Sequence, residues 1–204
     1  MQVRKMTIPD AYEFTPKSFP DDRGLLVVPF QADLVAETVG YPLPLAQSNH
    51  SVSRRGVIRG VHFADTPPGQ AKYIYCARGA LIDIVIDIRL GSPTFGKWEA
   101  VRLSSETYNS IYISEGLGHC FLALEDDTVM NYLCSTPFTP AREHAINPLD
   151  PALGLPWAEY LDGAAPVLSA KDTDAPSLAE AEAAGLLPKY QTCVDHYASL
   201  RANA

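Results

Sequence analysis

No apolar run in the 204-residue sequence is long enough to cross a bilayer. Met1 to Phe14 lacks the apolar segment of a signal peptide, so the cytoplasm is the expected compartment. Positive charge is in short supply: 16 Lys and Arg stand against 24 Asp and Glu, a formal net charge of −8. An acidic chain is a poor general partner for nucleic acid or an anionic membrane, and neither is expected as a partner. A phosphorylated small molecule still fits if a few arginines gather, and Arg23, Arg54, Arg55 and Arg59 lie close in sequence. The four cysteines (Cys76, Cys120, Cys134, Cys193) form no CxxC pair, and three sit in apolar runs as small hydrophobes. There is no H-x-H pair, and His62 is followed by Phe63 and Ala64, so metal catalysis is not expected. The G-x-S-x-G elbow, the G-x-G-x-x-G turn and the Walker loop are all missing, which removes serine-hydrolase, dinucleotide and P-loop chemistry.

What is present is a succession of short apolar runs punctuated by 17 prolines, the pattern of many strands joined by turns. Leu81 to Arg89 is the clearest strand. Ile82, Ile84, Ile86 and Ile88 share one face; Asp83, Asp87 and Arg89 share the other with Leu81 and Val85. The acidic face can look into solvent or into a polar cavity. Gly24 to Phe30, Val57 to Phe63, Lys72 to Ala77, Trp98 to Leu103, Ser110 to Ile113, His119 to Leu124 and Thr128 to Ser135 complete the set. Eight or so strands at this spacing predict a mainly β sandwich or jelly-roll barrel.

Helix is scarce. Gln31 to Thr38 suits two turns before Gly40. Ser177 to Ala184, near the C-terminus, carries a cap at Ser177, a capping-box Glu180 and a closing Gly185. Asn147 to Pro166 reads as a long ordered loop in which Leu149, Leu153, Leu155 and Trp157 need burial. The length suits one domain over residues 1–204, with about 191–204 as a loosely ordered tail.

Taken singly, the residues able to do chemistry are ordinary. His62 titrates near neutral pH and could take a proton, but a lone strand histidine is more often a core residue. Arg59 and His62 fall on opposite faces of a regular strand unless Gly60 makes a bulge. Lys72 could stabilise a developing enolate or be a solvated rim lysine. Tyr132 could deliver a proton or only fill a wall. Asp172 is a loop acid, ordinarily a turn or cap residue.

Taken in order, these residues fall within a set of motifs. They are Phe19-Pro20-Asp21-Asp22-Arg23-Gly24, Gln47-Ser48-Asn49-His50-Ser51 and Gly56-Val57-Ile58-Arg59-Gly60-Val61-His62-Phe63. Next come Gln70-Ala71-Lys72, Asp83-Ile84-Val85-Ile86-Asp87-Ile88-Arg89 and Gly91-Ser92-Pro93-Thr94-Phe95-Gly96. Glu115-Gly116-Leu117-Gly118-His119, Asn147-Pro148-Leu149-Asp150-Pro151 and Leu168-Ser169-Ala170-Lys171-Asp172 close the series. From about Phe14 to Tyr190 the chain resembles the dTDP-4-keto-6-deoxyhexose (dTDP-4-dehydrorhamnose) 3,5-epimerase family. Thr66 to Tyr73 and Tyr132 to Ser135 are more similar to its antibiotic-deoxysugar branch, which includes 3- and 5-monoepimerases. Phe63 and Phe138 stand where many members have tyrosine, and Leu26 replaces a frequent aromatic.

The resemblance implies a cupin-type jelly-roll barrel with a few short helices, working without metal or cofactor as a homodimer on a dTDP-linked 4-keto-6-deoxyhexose. It implies His62 as base, Asp172 as its carboxylate partner, Tyr132 as acid and Lys72 beside the C4 oxygen. His119 matches a sugar-pocket histidine, Arg23 and Arg59 diphosphate contacts, and Gln47 and Asn49 pocket amides. Phe19, Phe138 and Glu143 match positions around the nucleoside, and Lys171 a substrate contact. Inversion at C3, at C5 or at both stays open. A 3,4-ketoisomerase or a non-catalytic nucleotide-sugar-binding barrel is the alternative on the same scaffold.

Overall fold

A computed structural model describes residues 1–204. The N-terminal half runs β1 (Gln2–Lys5), β2 (Ala11–Thr15), β3 (Ser18–Asp21), β4 (Gly24–Val27), α1 (Ala32–Val39), β5 (Gln47–Ser53), β6 (Ile58–Ala64), β7 (Lys72–Arg78) and β8 (Ala80–Ile86). It continues with β9 (Trp98–Ser104), β10 (Ser110–Ile113), β11 (Gly118–Ala123), β12 (Thr128–Cys134) and β13 (Glu143–Ala145). Four helices end the chain: α2 (Trp157–Leu161), α3 (Ala170–Thr173), α4 (Leu178–Ala183) and α5 (Tyr190–Ala202). No helix is long and apolar enough to cross a membrane.

One sheet has the order β1-β2-β10-β7-β12-β5, the other β13-β6-β11-β8-β9, and β3-β4 is a separate hairpin. The two large sheets make a cupin-like sandwich whose edges do not join into a closed barrel. Between them lies a core that includes Ile74 and Met130 from the first sheet and Leu81, Val85 and Phe121 from the second. The other face of β8 carries Ile82, Ile84 and Ile86, which pack with Ile58 and Leu122 beneath Leu153, Trp157 and Leu161. Both faces of β8 are therefore buried, and its acidic side chain Asp83 points into the protein rather than to solvent. The outer face of the six-stranded sheet, with Phe14, Tyr73 and Tyr112, is covered by Val35 and Val39 of α1 and Cys193 and Tyr197 of α5.

Three sequence expectations change. The strand from Leu81 stops at Ile86 because Asp87 and Arg89 turn inward to bond each other. Arg89, wholly buried, bonds both oxygens of Asp87 at 2.9 Å, reaches Asp10 at 2.8 Å and lies under the Tyr190 ring at 5.0 Å. The stretch at 191–204, expected to be a loose tail, is instead largely the helix α5. Cys193 and Tyr197, four apart on one helical face, are buried, and the Tyr197 hydroxyl donates to the Glu115 carbonyl. Within the expected loop at 147–166, α2 forms around Trp157, and Leu149 remains exposed while Leu153 and Trp157 are buried. By contrast α4 has the capping box expected of Ser177 and Glu180.

The same outer layer buries an acid. Tyr41 donates to the Glu115 carboxylate at 3.5 Å, and Tyr112 donates to Tyr41 at 3.3 Å. Burial pushes the Glu115 carboxyl up from 4.5 to about 7, against hydrogen bonds from its own backbone, Tyr41 and Ser135. In that window the folded state keeps a proton that the unfolded chain has released, so this group's contribution to stability falls as pH rises from 4.5 to about 7. Glu115→Gln is expected to remove that slope and to stabilise the protein at about pH 8 by up to ~3 kcal/mol. Urea denaturation of both proteins at about pH 5 and about pH 8 measures it. An unchanged pH slope would mean that Glu115 ionises at its ordinary value.

Candidate active site

The site begins with an irregularity in β6. His62 pairs with His119 of β11, while Arg59 pairs with Phe121: three residues on β6 span two on β11. That is a bulge, and Gly60 sits in it at φ +115. A Cβ there would lie 2.4 Å from the His119 carbonyl and 2.5 Å from Cys120 Cβ. The extra residue turns Arg59 and His62 to the same side, where a regular strand would part them, and both line one cavity of about 250 Å³.

The five-stranded sheet gives this cavity Arg59, His62, His119 and Glu143. The six-stranded sheet gives Asn49, Ser51, Lys72 and Tyr132. Phe138, 52% exposed, and Gln70 close the wall. The Gln47 amide lies behind, donating to Asn49 Oδ1 at 2.6 Å and accepting from the Phe138 N–H at 2.9 Å. A neighbouring cavity of about 270 Å³ shares Arg59 and His62 and adds Lys171 and Asp172.

Asp172 reaches His62 from the far end of the sequence. Val167 lies in a parallel bridge with Val57, its carbonyl accepting from Ile58 N–H at 2.9 Å, which lays the C-terminal segment along the start of β6. Ser169 then caps the single turn α3: its hydroxyl accepts from Asp172 N–H at 3.2 Å and donates to Asp172 Oδ2 at 3.0 Å. The other carboxylate oxygen lies 2.6 Å from His62 Nε2. Burial works to raise the Asp172 pKa, but bonds from His62 and Ser169 outweigh it and hold the carboxyl below its usual range. With Nε2 engaged, Nδ1 is the ring nitrogen of His62 free for other work, and the side chain keeps 34% of its exposure.

A second imidazole–carboxylate pair lies deeper. His119 Nε2 is 2.6 Å from Asp83 Oδ2, and Asp83 is wholly buried. Burial pushes the Asp83 carboxyl up, opposed by His119 and Lys72. Burial lowers the Lys72 pKa, with Glu143, Cys134 and Asp83 acting the other way. Tyr132 stands with its ring edge-on to His119 at 6.3 Å between centroids, and burial raises its phenol well above the ordinary value. No three His, Cys, Asp or Glu side chains converge as a metal-ligand set.

The fold thus brings His62, Asp172, Lys72, Tyr132, Arg59, Asn49, His119, Phe138 and Glu143 to one cavity or its backing, with Gln47 and Lys171 just outside. It does not bring Phe19 and Arg23. They sit on the exposed β3–β4 hairpin, where Arg23 pairs with Asp21 at 2.6 Å and Phe19 is 55% exposed. Sequence reasoning missed Ser51, Gln70 and Asp83. Ser51 belongs to a strand of sequence Gln-Ser-Asn-His-Ser-Val-Ser, whose cavity-facing positions are polar and so show no apolar alternation. The signal was there in the amides two residues apart, Gln47 and Asn49, which continue to Ser51 on the same face.

A family model for dTDP-4-dehydrorhamnose 3,5-epimerase matches residues 5–180. A dTDP-4-dehydrorhamnose 3,5-epimerase of Mycolicibacterium smegmatis is 50% identical over 203 residues, covering 100% of this chain and 98% of the relative. Among solved structures, the rmlC epimerase of Mycobacterium tuberculosis superposes with a TM-score of 0.96 at 44% identity, over 98% of this chain and all of that one. ChmJ, a 3'-monoepimerase from Streptomyces bikiniensis solved in complex with dTDP-quinovose, superposes at 0.93 with 44% identity, over 97% of this chain and 98% of its own. Matched nearly end to end in sequence and in backbone, the chain belongs to the dTDP-4-dehydrorhamnose 3,5-epimerase family.

Proposed function

We propose that this chain inverts one or both carbons flanking the C4 ketone of a dTDP-linked 4-keto-6-deoxyhexose, in deoxysugar biosynthesis. The observation that carries this reading is an imidazole and a phenol reaching one cavity from two different sheets. A C–H beside a ketone is acidic because the electron pair left behind moves onto oxygen. His62, oriented through Nε2 by Asp172, takes the proton at Nδ1. Lys72 in the same wall stabilises the enolate oxygen, a contribution of ~3 kcal/mol for one such donor. Tyr132 gives its proton to the opposite face of the carbon, so the bond that re-forms points the other way. The C–H electron pair returns to carbon, the ketone is restored, and no oxidant or reductant is consumed. Arg59 and Lys171 are the cations on hand for the diphosphate, and Phe138 offers a face to the base.

The working unit we propose is a homodimer. The β3–β4 hairpin shows Leu25 and Leu26 to solvent, 48% and 64% exposed, on the side of the six-stranded sheet away from the cavity. Phe19 and Arg23, substrate positions by resemblance, ride on that hairpin and do not line their own chain's cavity. A second copy whose hairpin lies across the cavity mouth supplies both.

Four outcomes are expected. Incubated with dTDP-4-keto-6-deoxyglucose in D₂O, the protein should place deuterium at C3, C5 or both, with NMR of the product showing inversion at a labelled carbon. No label beside the ketone would reject the reading. His62→Ala should lower exchange by about 10²–10⁴-fold, the span of general-base catalysis, while dTDP affinity by calorimetry stays near wild type. Tyr132→Phe should slow inversion more than proton removal; wild-type epimer yields would make another group the acid. Finally, mixing inactive His62→Ala with inactive Arg23→Ala subunits should restore about a quarter of wild-type turnover, because half the dimers would hold one intact site. A mixture with no gain would confine Arg23 to its own chain.

A further inference from the structure

Only two buried side-chain polar atoms in the chain lack a hydrogen-bond partner: Ser51 Oγ and Asp83 Oδ1. Both belong to the surroundings of Tyr132. Ser51 lines the same cavity, and the Asp83 charge acts on the phenol. On β5, Asn49 pairs with Tyr132 and Ser51 with Met130, so Ser51 lies two residues further along the cavity-facing side and diagonal to the tyrosine. The Ser51 hydroxyl meets no partner at full hydrogen-bond geometry, yet it acts on the Tyr132 phenol in the sense of a donor, and a buried polar group so loosely paired recovers little of its lost hydration. A donor placed so is worth most once the phenol has lost its proton.

We propose that Ser51 is a positioning residue for Tyr132: its hydroxyl turns to donate to the phenolate oxygen left when Tyr132 hands its proton to carbon. This rests on the epimerase reading above. When the O–H bond of Tyr132 breaks and the new C–H bond forms, a negative oxygen remains in a buried wall. Asp83 repels that charge and Arg59 attracts it. Ser51 is the neutral hydroxyl beside it, free to rotate because nothing else holds its proton. Ser51 already acts on the phenol as a hydrogen-bond donor does, favouring the phenolate against burial and the Asp83 charge. A bond that tightens when the phenol becomes a phenolate helps the step that creates the charge more than it helps substrate binding.

The test measures two rates in one D₂O experiment with dTDP-4-keto-6-deoxyglucose: deuterium exchange beside the ketone, and inversion. The exposed edge of His62 lets the base trade its proton with solvent, so exchange can proceed without inversion. For Ser51→Ala, exchange should stay near wild type while inversion falls about 10- to 100-fold, the worth of a hydrogen bond to a charged group. Its melting temperature should be unchanged or higher, because no fully formed hydrogen bond is lost. Ser51→Thr, which keeps the hydroxyl, should restore the ratio. Should the alanine variant not fold, Ser51→Cys, a weak donor of similar size, carries the same comparison. An unchanged exchange-to-inversion ratio overturns the proposal, whether both rates hold, both fall together or KM alone rises. If wild-type protein exchanges nothing, the epimerase reading fails; if it exchanges normally and the Ser51 variants keep its ratio, only this inference fails.

Discussion

The close approach of β6 to β11 at Gly60 is the constraint on which the site depends. At φ +115 and with the His119 carbonyl where a Cβ would have to go, the position admits no side chain. Two consequences follow from one missing atom. The bulge sets Arg59 and His62 on a common face, and the register beyond it sets His62 directly opposite His119. A regular strand would have sent Arg59 out of the cavity or His62 into the outer core with Ile58 and Cys120. The C-terminal segment then follows: Val167 takes the free edge at the beginning of β6, and Asp172 arrives at hydrogen-bonding distance from the ring that the bulge presents.

Buried charge is handled in two different ways in this protein. Outside the cavity lining, Arg89 and Asp87 are fully matched, every guanidinium nitrogen finding an oxygen, and the pair ties the turn after β8 to Asp10 and α5. Removing one partner there would leave the other buried and unpaired, the costly case. At the cavity the matching is incomplete. Asp83 has one oxygen on His119 and one on nothing, and the Ser51 hydroxyl meets no partner at full hydrogen-bond geometry. Incomplete satisfaction inside an otherwise well-paired structure marks the region where stability has been given up, and here that region coincides with the polar cavity.

How much of this was legible in the sequence depends on whether each element announces itself by burial. The Ile82, Ile84, Ile86 alternation was readable because one face of β8 enters an apolar layer. The Ser177–Glu180 cap was readable because capping is local. β5 was not, since its cavity-facing residues are amides and hydroxyls. Nor was α5, whose helical stripe is no more than Cys193 and Tyr197 and whose docking relies on a hydroxyl reaching the Glu115 carbonyl more than eighty residues away. His62, Lys72, Tyr132 and Asp172 were readable as a set by family pattern, not by spacing, because 110 residues separate the histidine from its carboxylate. The hairpin residues Phe19 and Arg23 were assigned to the site by the same pattern, and the chain holds them outside its own cavity, on the β3–β4 hairpin.

On the epimerase reading, the proton inventory explains why the two acid–base groups live in such different surroundings. Each inversion leaves an extra proton on His62 and a missing one on Tyr132, and the cycle cannot repeat until both are reset. His62 is suited to trading with solvent: a third of its side chain is exposed, and the Asp172 carboxyl beside it is held below its usual range. Tyr132 needs the opposite. Burial and the Asp83 charge keep it a phenol between turnovers, ready to donate, and penalise the phenolate that donation creates. Loss of a proton therefore favours the return of Tyr132 to the neutral form, while the exposed edge of His62 gives solvent access to the proton it has gained. On this reading the asymmetry follows from which sheet carries each group: His62 on the five-stranded sheet keeps an exposed edge, and Tyr132 on the six-stranded sheet faces the buried Asp83 charge.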